Sequence, residues 1–183
     1  MYTGSNPSAL RSRKWLHDAL LQLLKIKKYH QISIKDICTQ ADLSRQTFYQ
    51  IFHSKDEIME YHFSILFAEF IKCCEQYQDI TIYNISHCFF DFFYTHQEFI
   101  EILIENNLTS LLECQFEYYL QKIEFFRRYE AGEESTDYTV SFISGALTQM
   151  LIHWFQKDFD LNVEQISQIT QRTLTGMIFQ NKL

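Results

Sequence analysis

The side chains best suited to chemistry fall in one short stretch, Ser44-Arg-Gln-Thr-Phe-Tyr-Gln50, followed closely by His53 and Lys55. Arg bonds bidentately to guanine, Gln to adenine, and Thr meets a thymine methyl or a phosphate. Tyr and Lys suit phosphate oxygens, which fix register on a duplex without reading its sequence. Arg45, Gln46, Thr47, Tyr49 and Gln50 share the polar side of a helical pattern whose apolar side is Phe48, Ile51 and Phe52. Together with Lys35, Ser44, His53 and Lys55 they are the candidate set for contact with double-stranded DNA. Catalytic constellations are missing by comparison. There is no Gly-rich phosphate loop, no Gly-x-Ser-x-Gly and no His-Glu-x-x-His, and the seven histidines are scattered. Glu113 and Glu117 share a helix face and read as surface charge, so the chain is not expected to be an enzyme.

Two short helices must hold these side chains. Ser33 can accept from a free backbone N–H of the first turn, and Asp36 favours the positive end of the helix dipole. Ile34, Ile37 and Ala41 then lie on one face. Asp42-Leu43 breaks the run, and Asp is one of the few non-Gly residues that tolerates a left-handed backbone. Ser44 caps the second helix, and Ser54 caps a third that opens with Lys55. This is the layout of a helix-turn-helix, in which the first helix braces and the second offers its N-terminal residues to the major groove.

Residues 11–60 resemble the DNA-binding domain of the TetR family of bacterial transcriptional regulators. The resemblance rests on Ile34-Lys-Asp-Ile-Cys-Thr-Gln-Ala-Asp-Leu-Ser44 and on Thr47-Phe-Tyr-Gln-Ile-Phe-His-Ser-Lys-Asp-Glu-Ile58. The family's pattern has an Ala-Gly-Val-Ser turn, an aromatic-Tyr pair and a Lys opening the next helix. Asp42 stands here where the family usually has Gly. The resemblance implies an N-terminal head, a helical body that usually holds an effector pocket, and a homodimer.

Composition is consistent with an all-α chain. In 183 residues Pro occurs once and Gly four times, too few turn-formers for a β fold. No apolar run approaches the ~18 residues of a membrane span, and no signal-type block follows the basic N-terminus, so a cytoplasmic protein is expected. Cys38, Cys73, Cys74, Cys88 and Cys114 are odd in number and irregular in spacing. That argues against a disulfide framework, and without Cys-x-x-Cys or His-x-x-x-His no metal or other cofactor is expected. Vicinal Cys73-Cys74 is the one oddity, and a redox role for it is left open. Net charge is −7, divided unevenly. Residues 1–55 hold nine Lys/Arg against three Asp/Glu, a net +6, and residues 56–183 hold seven against twenty, a net −13. A basic head on an acidic body suits a protein that meets phosphates with one end.

About nine helices are expected, in a three-helix head (residues 1–55) and a larger body (residues 56–183) for effector binding and dimerisation. Ser8 is placed as the cap of helix 1, whose core face is Leu16, Ala19, Leu20, Leu23 and Leu24. Arg11, Arg13, Lys14 and His17 near its start read as a phosphate-seeking arm or as a solubilising one. Tyr29 and Ile32 plug the head. Helix 4, residues 55–76, is long enough to connect head and body. Further helices fit residues 80–95, 97–106 and 108–128, with a loop at 129–136. Aromatics crowd residues 80–128, and they read either as core or as walls of a site for a small hydrophobic or aromatic effector. The candidate walls are Phe89, Phe93, Phe116 and Tyr119. Helix 8 (137–157) carries Ile143, Leu147, Met150 and Trp154 on one stripe, and helix 9 (163–180) carries Ile166, Ile169 and Met177. These stripes could pair across a dimer as a four-helix bundle, or be buried within one chain. Gly145 in mid-helix suggests close approach of a neighbour. The leading expectation is a homodimeric repressor on a palindromic operator, released by a small molecule. In the alternative, a partner protein controls the same head.

Overall fold

The computed structural model describes residues 4–77, 79, 81–122 and 133–176. Among them are nine α-helices and no strand. The chain divides into two compact units, Met1–Leu66 and Phe67–Leu183. The division falls inside the fourth helix rather than before it. Its first turns bury Ile58, Met59 and Phe63 within the first unit.

In the first unit, α1 (Pro7–Leu24) is capped by Asn6, whose Oδ1 accepts from the Ser8 N–H at 3.0 Å. Ser8, expected to be the cap, lies inside the helix. Pro7 occupies the first helical position, where its missing N–H costs nothing, and this moves the cap one residue earlier than Pro. Leu16, Ala19, Leu20, Leu23 and Leu24 are buried, as their spacing predicts. A short 3-10 turn, Tyr29–Gln31, follows, and Tyr29 and Ile32 enter the core. Then come α2 (Ile34–Gln40), α3 (Arg45–Ile51) and α4 (Lys55–Cys74). His17 is not part of an arm. It is buried, and its Nε2 pairs with His62 Nδ1 of α4 at 2.9 Å while its Nδ1 faces Asp18 Oδ1 at 3.0 Å. Arg13 lays its guanidinium over the Tyr61 ring, 4.5 Å from the centroid.

The second unit contains α5 (Ile82–Thr95), α6 (Gln97–Glu105), α7 (Thr109–Leu120), α8 (Glu133–Gln156) and α9 (Val163–Leu174). Helix α5 packs against α6, α8 and α9, and α7 packs against α6 and α8. Helix α8 begins at Glu133, within the stretch expected to be loop, and α9 ends earlier than expected. Gly176 takes φ +73°, a left-handed stop that Gly adopts without Cβ strain.

Two sets of residues in the body, the α8 and α9 stripes and the crowded aromatics, have particular surroundings in the structure. Leu147, Trp154 and Ile166 are buried within the single chain. The Trp154 indole N–H donates to the Leu161 carbonyl at 2.9 Å, and its ring stacks on Tyr94. The periodic stripe of α8 is its inward face. Ile143 and Met150 are half-buried and Ile169 is 40% exposed, while Met177 lies outside the described residues. The large exposed apolar groups of α8 are Tyr138 and Phe142, one turn apart, at 80% and 66% exposure. The second set is the aromatics. Phe89, Phe93 and Phe116 are fully buried against one another, with Phe89 4.8 Å from Phe93 and 4.6 Å from Phe116 between ring centroids. Phe67 and Phe70 of α4 complete this core, and Tyr119, half-buried, stacks on Phe67 at 4.6 Å. Among the described residues, a Cβ built at Gly145 meets the Glu113 carboxylate at 3.2 Å.

Candidate nucleic-acid interface

The local sequence fixes α2 and α3 at both ends. Ser33 Oγ accepts from the Asp36 N–H at 3.1 Å, and Asp36 Oδ2 accepts from the Ser33 N–H at 2.9 Å, a reciprocal capping box. The Ser33 N–H and hydroxyl, with Lys27 beyond, hold the Asp36 carboxyl below the usual carboxylate range. At the far end Asp42 takes φ +54°. This lets the Leu43 N–H reach the Cys38 carbonyl at 2.9 Å and the Asp42 N–H reach that of Thr39 at 3.3 Å. The pair satisfies the last carbonyls of α2 in a Schellman turn. Ser44 then starts α3, its Oγ accepting from the Thr47 N–H at 3.0 Å.

Burial of Phe48 and Ile51 decides which way α3 faces. With that side inward, Arg45, Gln46, Tyr49 and Gln50 are exposed and Thr47 is half-buried, its hydroxyl 2.9 Å from that of Ser44. Tyr49 is 54% exposed and rests edge-on against Phe48. Lys35 of α2 joins Ser44 and Arg45 around one open depression of about 490 Å³, with Thr39 and Asp42 on its rim. Thus Lys35, Ser44, Arg45, Gln46, Thr47, Tyr49 and Gln50 are brought together on the two short helices and their turn. Guanidinium, amide, phenol and ammonium groups so placed can bond base edges and phosphate oxygens.

His53 and Lys55 are placed differently. His53 is exposed, but its backbone N–H and Nδ1 face the Glu57 carboxylate at 2.9 and 3.1 Å. Lys55 points inward. Its Nζ donates to the carbonyls of Tyr29 at 2.6 Å and Ile32 at 3.0 Å and lies 4.2 Å from the Tyr29 ring centroid. The ammonium thus ties α4 to the 3-10 turn, sharing the Tyr29 carbonyl with the Ile32 N–H. The Tyr29 hydroxyl in turn donates to Asp56, and burial together with this bond pushes the phenol up. Sequence reasoning missed this clamp because its members are 26 and 23 residues apart.

A three-helix head with a tightly turned helix pair and an exposed polar edge defines a helix-turn-helix DNA-binding protein. Comparison with known families agrees. The model described as "Bacterial regulatory proteins, tetR family" matches residues 16–61, and that of "Transcriptional regulator C-terminal region" matches residues 81–176, about half of the chain. The chain belongs to the TetR family of transcriptional regulators. It is 27% identical over 135 residues to the HTH-type dhaKLM operon transcriptional activator DhaS of Lactococcus lactis subsp. lactis (strain IL1403), covering 72% of this chain and 71% of that one. Among solved structures, a TetR transcriptional regulator from Streptococcus agalactiae 2603V aligns with TM-score 0.63 at 17% identity, over 91% of this chain and 94% of that one. The dihydroxyacetone kinase operon activator DhaS aligns with TM-score 0.55 at 22% identity, over 92% and 97%. The fatty acid degradation regulator FadR from Bacillus halodurans aligns with TM-score 0.56 at 15% identity, over 95% and 97%. At such identities the structural likeness bears on the fold alone.

Proposed function

We propose that the chain binds a palindromic operator as a homodimer, with α3 of each copy in a major groove, and represses transcription until a small hydrophobic or aromatic molecule releases it. The observation that carries this reading is the exposed row Arg45, Gln46, Tyr49 and Gln50, held rigidly by the Asp42 turn and the Ser44 cap in the basic part of the chain. Arg45 and Gln46 read bases. Lys35, Ser44, Thr47, Tyr49 and Gln50 hold the backbone, and His53 lies at the edge of the contact. Lys55, spent on two carbonyls, acts by bracing the head. A homodimer doubles the site, which is how a short recognition helix gains specificity. Its pairing surface uses the exposed Tyr138, Phe142 and Ile169 with half-buried Ile143 and Met150. The protein works in the cytoplasm.

A second reading keeps the head and replaces the metabolite with a partner protein. The filled packing of Phe89, Phe93 and Phe116 supports it, because these rings already occupy one another. The relative from Lactococcus lactis is named as an activator, which leaves the sign of regulation to experiment.

Selection of bound duplexes from a random pool tests the DNA reading. The expected winner is a palindrome whose affinity falls steeply with salt, through release of counterions from phosphates. Weak binding without enrichment would refute it. A metabolite thermal-shift screen set beside a pulldown on the selected duplex then separates the two modes of control.

A further inference from the structure

Three of the five cysteines meet in the second unit, where α4 ends against α5. Cys74 is the last residue of α4 and is half-buried, and its Sγ lies 3.3 Å from that of Cys88 in α5. Cys88 is 1% exposed, also approaches the Phe70 carbonyl, and has the Cys73 thiol as a further neighbour. The remaining thiols belong to other elements, Cys38 buried in the head and Cys114 exposed on α7.

The geometry points to Cys74 and Cys88 as an oxidisable dithiol that a hydroperoxide closes into a disulfide between α4 and α5. The placement divides the labour. Cys74 reaches solvent and Cys88 does not, so Cys74 meets the oxidant and Cys88 resolves it. Ionisation is arranged the same way. The hydrogen bond between the two sulfurs draws the Cys74 thiol down, while the same bond and burial push the Cys88 thiol up. A thiolate is the attacking form of Cys.

In the first step the Cys74 thiolate attacks the distal peroxide oxygen. The O–O bond breaks, the alcohol or water leaves with a proton from solvent, and Cys74 becomes a sulfenic acid. In the second step the Cys88 sulfur attacks that sulfur. The S–O bond breaks, and hydroxide leaves as water with the Cys88 proton. Two thiols are oxidised and one peroxide is reduced. Closure from 3.3 Å to a disulfide length of about 2.05 Å needs a shift of ~1.3 Å, within the play of a helix end. Cys73 competes poorly for Cys74, since adjacent helical residues project about 100° apart.

The test uses the full chain carrying Cys114→Ala, which removes the exposed thiol of α7 from the count. Hydrogen peroxide is added at neutral pH, free thiols are alkylated, and the unreduced digest is mapped by mass spectrometry. The expected product is an internal Cys74–Cys88 link that reverses in dithiothreitol, with free thiols falling from four to two. Cys88→Ala should stop at a sulfenic acid on Cys74 that dimedone traps. The map of the chain with Cys74 and Cys88 intact needs no folded Cys88 variant. Retention of all four thiols, a Cys73–Cys74 link alone, or over-oxidised Cys74 without a link would overturn the proposal. The chemistry is independent of the operator reading, so failure of one is distinguishable from failure of the other.

Discussion

Phe48, Tyr49 and Phe52 around α3, and Phe89, Phe90, Phe92 and Phe93 of α5, are similar strings of aromatics with different fates. In the head, Phe48 and Phe52 are buried while Tyr49 between them stays exposed. In the body all four Phe of α5 are buried. The difference is coverage. The head covers one side of α3, so helical spacing separates interior from surface. Helix α5 meets α6, α8 and α9, so it is covered on more than one side and seven of its residues, the four Phe among them, are buried. An aromatic beside a covered face is therefore informative about function, and an aromatic inside an enclosed helix is mostly informative about packing.

The largest effect that sharpens this contrast is expected from Phe116→Ala. Phe116 is fully buried against Phe67, Phe70 and Phe89, so truncation should cost about 3–5 kcal/mol, read by urea denaturation. An unchanged midpoint would mean that these rings line an open cavity. Lys55→Met should come next. Loss of two charged hydrogen bonds to carbonyls is expected to destabilise the head by roughly 1.5–3 kcal/mol. The slope of log affinity against log salt should stay unchanged. A shallower slope would return Lys55 to the phosphates.

Arg45→Ala should cost about 1–3 kcal/mol on the preferred duplex and flatten base preference, with little change in stability. Equal loss on every sequence would reassign Arg45 to the backbone. The buried His17 should give the head an acid-sensitive stability. Burial lowers the His17 pKa from 6.5, so the neutral ring is the stable form. Stability is complete above that value and is lost as pH falls through the lower folded pKa. Melting curves between pH 7.5 and 5 should show this, and His17→Gln should reduce the dependence. The smallest effect is expected from Gly145→Ala. Among the described residues the added Cβ meets a movable carboxylate alone, so the gain of helix propensity, up to ~1 kcal/mol, should prevail. A clear loss would reveal a tighter neighbour.

Much of the head was legible because its determinants are local. Ser33, Asp36, Asp42 and Ser44 act within four residues of themselves, through caps and one left-handed turn. The helices of the body were largely visible, but α7 stops at Leu120 rather than near 128, α8 starts at Glu133 and α9 stops before Gly176. The apolar stripe of α8 was legible as a stripe but not as an inward one. Periodicity says which residues share a face, and it carries no information on whether the same chain or another copy covers that face.

By itself the sequence determined the helical class, the family and the row of polar residues on α3, because each depends on residue types at short spacing. Tertiary structure decided the rest. It turned Lys55 onto the carbonyls of Tyr29 and Ile32, buried His17 against His62, and closed the aromatics of α4, α5 and α7 on one another. It also brought Cys74 against Cys88. These pairings join residues on separate elements, and distances between elements are set by how whole helices pack, which no local spacing encodes.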